Sequence, residues 1–153
     1  GADDSIMPLL NTAAVIGFGG VVTQTAGFAQ FANWILNVDL PPLLSVFASV
    51  SVVSAIVGSS SGGLQIFMQS LGPHYIEMGV DPEILHRIAA IAAGGLDSLP
   101  HCGAVIATFM IMGITHKEAY RDIFVVTVAV PVIACLASIA LLMSLGMGMV
   151  SAG

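Results

Sequence analysis

Residues 40–76 read LPPLLSVFASVSVVSAIVGSSSGGLQIFMQSLGPHYI, without one Asp, Glu, Lys or Arg. As a single α-helix the stretch would be roughly 55 Å long, against a bilayer hydrocarbon core of about 30 Å. It therefore has to break. The break falls in the middle, where Gly58-Ser59-Ser60-Ser61-Gly62-Gly63 sets a row of weak helix formers between Leu43 to Val57 and Leu64 to Leu71. Two half-length helices joined there predict a re-entrant hairpin over 41–76 with its tip at 58–63. Non-helical backbone at membrane depth persists only where protein or a water-filled cavity satisfies its polar groups.

The composition around this stretch supports that setting. The chain has 153 residues, 57% hydrophobic and 8% charged, where a soluble domain carries about 25% charged residues. With mean hydropathy at +1.01, a water-soluble globule is excluded. Nine acidic residues face three basic ones, for a formal charge of −6. No basic cluster exists to neutralise a phosphate backbone, so nucleic acid is excluded as a partner. Cys102 and Cys135 lie in apolar stretches and read as small buried hydrophobes rather than as a disulfide or metal ligands. No secretory leader precedes the first apolar run, and the chain, starting at Gly1, reads as part of something longer.

Working outward from the hairpin, Ser5 to Val38 is also free of charge, which predicts a transmembrane segment over 5–36. Gly17-Phe18-Gly19-Gly20 permits either a continuous helix or a local break. On the other side, Asp81-Pro82-Glu83 is a helix start, with Asp81 as N-cap and Pro82 in the first turn. Helix formation then fails at Gly94-Gly95-Leu96-Asp97-Ser98-Leu99-Pro100-His101 before Cys102 to Met112 turns apolar again. This predicts a discontinuous helix over 82–112, broken at 94–101. Thr115-His116-Lys117-Glu118 reads as a capping box opening an amphipathic link, and 123–146 as a conventional final transmembrane helix. The fold class is all-α integral membrane. Lys117 and Arg121 make loop 113–122 the cytoplasmic one. The C-terminus is then outside and the hairpin enters from outside, with Arg87 the exception to the charge rule.

Two interruptions close together are the sequence sign of a transporter site, because half-helix N-termini present unpaired N–H groups and a positive dipole end. One such end starts at Ser61-Gly62-Gly63. The other is expected at Ser98-Leu99-Pro100, with Ser98 or Asp97 as cap. Both favour an anion. The hydroxyls of Ser59, Ser60 and Ser61 suit a polyhydroxylated ligand, and Gly62 and Gly63 admit close backbone approach. Small residues also serve plain helix packing in membranes. Asp97 is the acidic side chain placed within a membrane segment and His101 lies one turn on, so together they could hold and release a proton. The bland alternative makes Asp97 a cap and His101 the partner of a carbonyl. His74, His86 and His116 read as solvated or headgroup-level residues. Gly58-Ser59-Ser60-Ser61-Gly62 also matches G-x-S-x-G, with Asp97 and His101 in hydrolase order, but the elbow requires a preceding strand.

Gly94 to Val105, followed by Gly113-Ile114-Thr115-His116-Lys117-Glu118-Ala119-Tyr120-Arg121-Asp122-Ile123, resembles the gluconate:proton symporter (gluconate permease) family. Leu10-Asn11-Thr12-Ala13 with Gly17-Phe18-Gly19, and Gly58 to Leu64, add to the likeness. The resemblance spans nearly the whole chain and corresponds to the C-terminal portion of such a permease. It implies an ion-transporter-like half, inverted repeats, proton coupling without another cofactor, and a homodimer. The chain departs from the family at Cys102, where Asn is usual, and at Ser60, where Ala is usual; both fall in the expected pocket. The expected function is proton-coupled secondary transport of small hydroxylated carboxylates across the cell inner (cytoplasmic) membrane. Substrate would be held by Ser59, Ser60, Ser61, Gly62, Gly63, Ser98, His101, Asn11 and Thr12, with Asp97 and His101 coupling the proton. No catalytic residue and no metal ligand is expected. The rival reading is a structural or regulatory membrane subunit without a site, and the minor one an intramembrane serine hydrolase.

Overall fold

The computed structural model describes residues 2–149, apart from the side chains of 2–5, 7–9, 11–12 and 15–16. The described residues are helical almost throughout: α1 (Ala2–Thr23), α2 (Ala26–Asn37), α3 (Pro42–Val57), α4 (Ser60–Ser70), α5 (Gly72–Glu77), α6 (Pro82–Ala93), α7 (Gly103–Met112), α8 (His116–Phe124), a π-helical turn (Val125–Ala129) and α9 (Val130–Ser144). The last three run on as one helix of 29 residues. It is long and apolar enough to cross a membrane.

Helix α3 is the centre. Its Val46, Val50 and Val53 are buried, and α2, α4, α6 and α9 pack around it. Phe67 of α4 and Leu71 just after it, Leu85, Ile88 and Ala89 of α6, and Cys135 and Ile139 of α9 complete the core. Between membrane helices, packing and hydrogen bonds rather than expulsion of water drive association, and small residues permit close approach. The chain follows that rule where α4 crosses α3. A Cβ at Gly63 would lie 2.6 Å from the Ser54 Cα and closer still to its hydroxyl. The base of the hairpin is held by a buried hydroxyl cluster. The Tyr75 hydroxyl sits 2.7 Å from Ser45 Oγ and 2.8 Å from Ser49 Oγ, and Ser49 donates on to the Ser45 carbonyl.

The hairpin reverses in two residues. Gly58 ends α3 in the left-handed region at φ 63°, and Ser59, extended, caps α4 by accepting the Gly62 N–H at 3.2 Å. The expected tip of 58–63 is thus narrower: Ser60 to Gly63 form the first turn of α4. Their low helix propensity is outweighed by the cap and by the crossing that only glycine allows. In the first segment the chain breaks at Gln24-Thr25 rather than at Gly17 to Gly20. The Thr25 hydroxyl accepts the Phe28 N–H and starts α2. Beyond α6 the chain leaves helical geometry at Gly94 and resumes it at Gly103, with Cys102 in the capping position. Neither Asp97 nor Ser98 caps α7. Pro100 disfavours helical geometry at Leu99, and the segment turns instead, with the Cys102 N–H on the Leu99 carbonyl at 2.8 Å. Finally, the amphipathic stretch that opens at Thr115 is no separate link. Its capping box forms, Glu118 accepting from the Thr115 N–H and hydroxyl at 2.8 and 2.7 Å, and the helix continues directly into the apolar part.

Candidate functional site

The turn at Gly58-Ser59 and the non-helical segment 94–102 meet. A Cβ on Gly58 would lie 3.5 Å from the Cys102 Cα and 3.6 Å from the His101 ring. The His101 Nε2 is 2.7 Å from the Ala55 carbonyl. A carbonyl only accepts, so Nε2 carries the hydrogen, and Nδ1 is left as the ring's free acceptor when the ring is neutral. Around this junction lies a cavity of about 530 Å³ lined by Gly58, Ser59, Ser60, Asp97, Cys102, Gly103, Ala104 and Ala107. The first turns of two helices, α4 and α7, open onto it. The first N–H groups of a helix have no carbonyl one turn back to bond, and they carry the positive end of the dipole. Ser59 spends its hydroxyl on one of them, that of Gly62; α7 has no side-chain cap.

Of the residues expected to hold substrate, Ser59 and Ser60 line the cavity together with Asp97. The Asp97 carboxylate accepts from the Ser98 hydroxyl at 2.9 Å, and among the described residues no hydrogen bond joins it to His101. Ser61 reaches the cavity only through its neighbour, its hydroxyl 3.3 Å from that of Ser59. Gly62 faces a second, smaller cavity of about 140 Å³ beside Gly19, Thr23, Gln65 and Gln69. Gly63 is consumed in the crossing with α3. The Asn11 and Thr12 side chains lie outside the described residues. Cys102, placed in the pocket by the family likeness, and His116, not expected at the site, belong to its wall and its support. Cys102, a free cysteine 5% exposed, borders the cavity at the start of α7 and packs in a buried cluster with Val105 and Phe109. His116, half-buried, donates from Nε2 to the Pro100 carbonyl at 3.1 Å. The signal for His116 was its i,i+4 spacing to Tyr120, whose hydroxyl donates to the Ser98 carbonyl at 3.2 Å.

The element before Ser60 is helix α3, so the strand that a nucleophile elbow needs is replaced by a helix and G-x-S-x-G is a coincidence of small residues. Among the described residues no three His, Cys, Asp or Glu gather where they could hold a metal ion. The last helix presents its apolar surface outward. In its most apolar 18-residue window only 17% is buried, whereas the core helix of a soluble protein hides most of its length.

Over 131 residues the chain is 34% identical to a Bacillus subtilis (strain 168) protein named "Uncharacterized transporter YxjC". The match takes in 83% of this chain and 28% of that protein, so the chain spans under a third of the curated relative's length. No family model and no solved structure matches the chain.

Proposed function

We propose that the chain forms the substrate-handling part of a proton-coupled secondary transporter for small hydroxylated carboxylates, gluconate and related sugar acids among them. The observation that carries this reading is one cavity lined by the first turns of two helices together with Ser59, Ser60 and Asp97. Two dipole ends favour one anionic group, and Ser59 and Ser60 can donate to and accept from a hydroxylated chain. An ionised Asp97 repels that same anion. Protonating it removes the repulsion, so anion and proton are favoured together, which is the thermodynamic requirement of symport. The transporter named as a relative and the likeness of residues 94–123 to gluconate:proton symporters support the assignment.

In this proposal the protein sits in the cell inner membrane as a homodimer, with 113–122 cytoplasmic and the C-terminus outside. The hairpin α3–α4 is re-entrant, entering and leaving from the outer side. The test is uptake of labelled D-gluconate by membrane vesicles under an imposed inward proton gradient. Wild type is expected to accumulate gluconate against its gradient. Asp97→Asn is expected to lose that accumulation while keeping exchange of labelled for unlabelled substrate. Retained uphill uptake by Asp97→Asn would remove the coupling role, and no uptake of any aldonic acid by wild type would remove the substrate class.

A further inference from the structure

The non-helical segment 94–102 is a wall of the cavity, and its shape is set from one side by the last helix. Three consecutive carbonyls of the segment are all occupied. Ser98 accepts from the Tyr120 hydroxyl, Leu99 from the Cys102 N–H, and Pro100 from the His116 ring. Two of those three donors belong to α8. Further along, a Cβ at buried Gly95 would come within 3.0 Å of Val132 of α9. The same helix thus touches the segment near its start, its middle and its end.

α7 has few other attachments. It is held to α8 by Cys102, Val105 and Phe109 against Ile114, Tyr120 and Ile123, and His116 sits edge-on to the Phe109 ring at 4.8 Å. We infer that His116 and Tyr120 are positioning residues for the transport site: they fix the cavity wall from Ser98 to Cys102 by occupying the Ser98 and Pro100 carbonyls, and tie its shape to the terminal helix. Neither lines the cavity, so neither touches the ligand. The inference rests on the reading of the cavity as the substrate site.

The mechanism follows from what an unbonded carbonyl does. Without Tyr120 or His116 the Ser98 or Pro100 carbonyl must seek another donor, and the donors within reach are the free N–H groups of α7 and water. Either choice moves Asp97 and Cys102, which flank those carbonyls, and occupies groups proposed for the anion.

Two readouts separate the parts of this inference, both made on the intact protein in vesicles. The first is the maleimide alkylation rate of Cys102, measured by peptide mass spectrometry; it reports the wall whatever the cavity binds. The second is the KM for D-gluconate, taken separately from the maximal rate per inserted molecule. Tyr120→Phe is isosteric and removes one hydroxyl; it is expected to change the Cys102 alkylation rate and to raise KM, each by roughly five-fold. His116→Leu is expected to do the same, whereas His116→Gln, which keeps an N–H donor, restores both values to near wild type. Unchanged alkylation and KM in Tyr120→Phe and His116→Leu would overturn the positioning role. So would losses confined to the amount of inserted protein. Altered alkylation with unaltered KM would overturn the cavity as the gluconate site and leave the strap itself standing.

Discussion

Gly63 shows how one missing methyl group sets a helix crossing. A Cβ there would press on the Ser54 backbone at 2.6 Å, and α3 is a core helix that cannot retreat cheaply. Overpacking of this kind costs about 1–3 kcal/mol. Gly63→Ala is therefore expected to lower the thermal midpoint of the detergent-solubilised protein, whereas Gly103→Ala, with nothing within 4 Å, is expected to leave it unchanged. Equal midpoints for the two variants would place the crossing elsewhere. The two cysteines make a second contrast. Cys102 borders a cavity at the start of α7, while Cys135 is 0% exposed in the core. Maleimide is expected to label Cys102 and spare Cys135, and saturating gluconate to slow the labelling. Preferential labelling of Cys135 would contradict the packing of α9 on α6.

At the scale of elements, the π turn between α8 and α9 decides which residues share a face. On a regular α-helix Val132 would stand roughly 120° round the axis from Tyr120, at about 100° per residue. A π turn accommodates about one extra residue and cuts that angle to roughly 20°, bringing Tyr120 and Val132 onto the side where Ser98 and Gly95 lie. Deleting the exposed Val126 is expected to restore regular helix and break one of the two attachments. The measurement is cross-linking of cysteines placed at Gly95 and Val132, which should fall sharply in the deletion; undiminished cross-linking would mean that the turn sets no register. The hairpin base is a separate device. In Tyr75→Phe the Ser45 and Ser49 hydroxyls lose a buried partner, at about 1–3 kcal/mol. A lower melting midpoint with unaltered gluconate KM is the expected result, because Tyr75 stands well away from the cavity in sequence and packs in the core cluster.

For the whole molecule, the testable quantity is its orientation. Cysteine introduced at Lys117 is expected to react with an impermeant maleimide only from the cytoplasmic face, and cysteine at Glu77 only from outside. The opposite pattern would invert the proposed topology while leaving every internal contact unchanged. Exposed Met110, Ile111, Val126 and Ile133 are 77, 87, 66 and 65% exposed, an outward apolar surface that suits lipid contact and that water would penalise. The same side chains would be an aggregation hazard in a soluble protein.

What the sequence determined by itself is local or compositional. An apolar run longer than a bilayer must break, and glycine with serine marks where. Asp81-Pro82 and Thr115 with Glu118 carry their helix starts in their own side chains, within one turn. The apolar length of the last helix needs no partner to be recognised. The tertiary structure decided whatever depends on a residue far along the chain. Gly62 and Gly63 are poor helix formers that nonetheless lie inside α4, because Ser59 caps it and Ser54 leaves room only for glycine. Asp97 had the chemistry of a cap, yet α7 starts six residues later, and Asp97 lines a cavity instead. His116 looked like an interfacial residue because nothing near it in sequence is its partner; its carbonyl lies sixteen positions back, at Pro100. A cavity is a property of elements brought together, and helix starts drawn from opposite ends of the chain's middle third could be aimed at one another only by packing around α3.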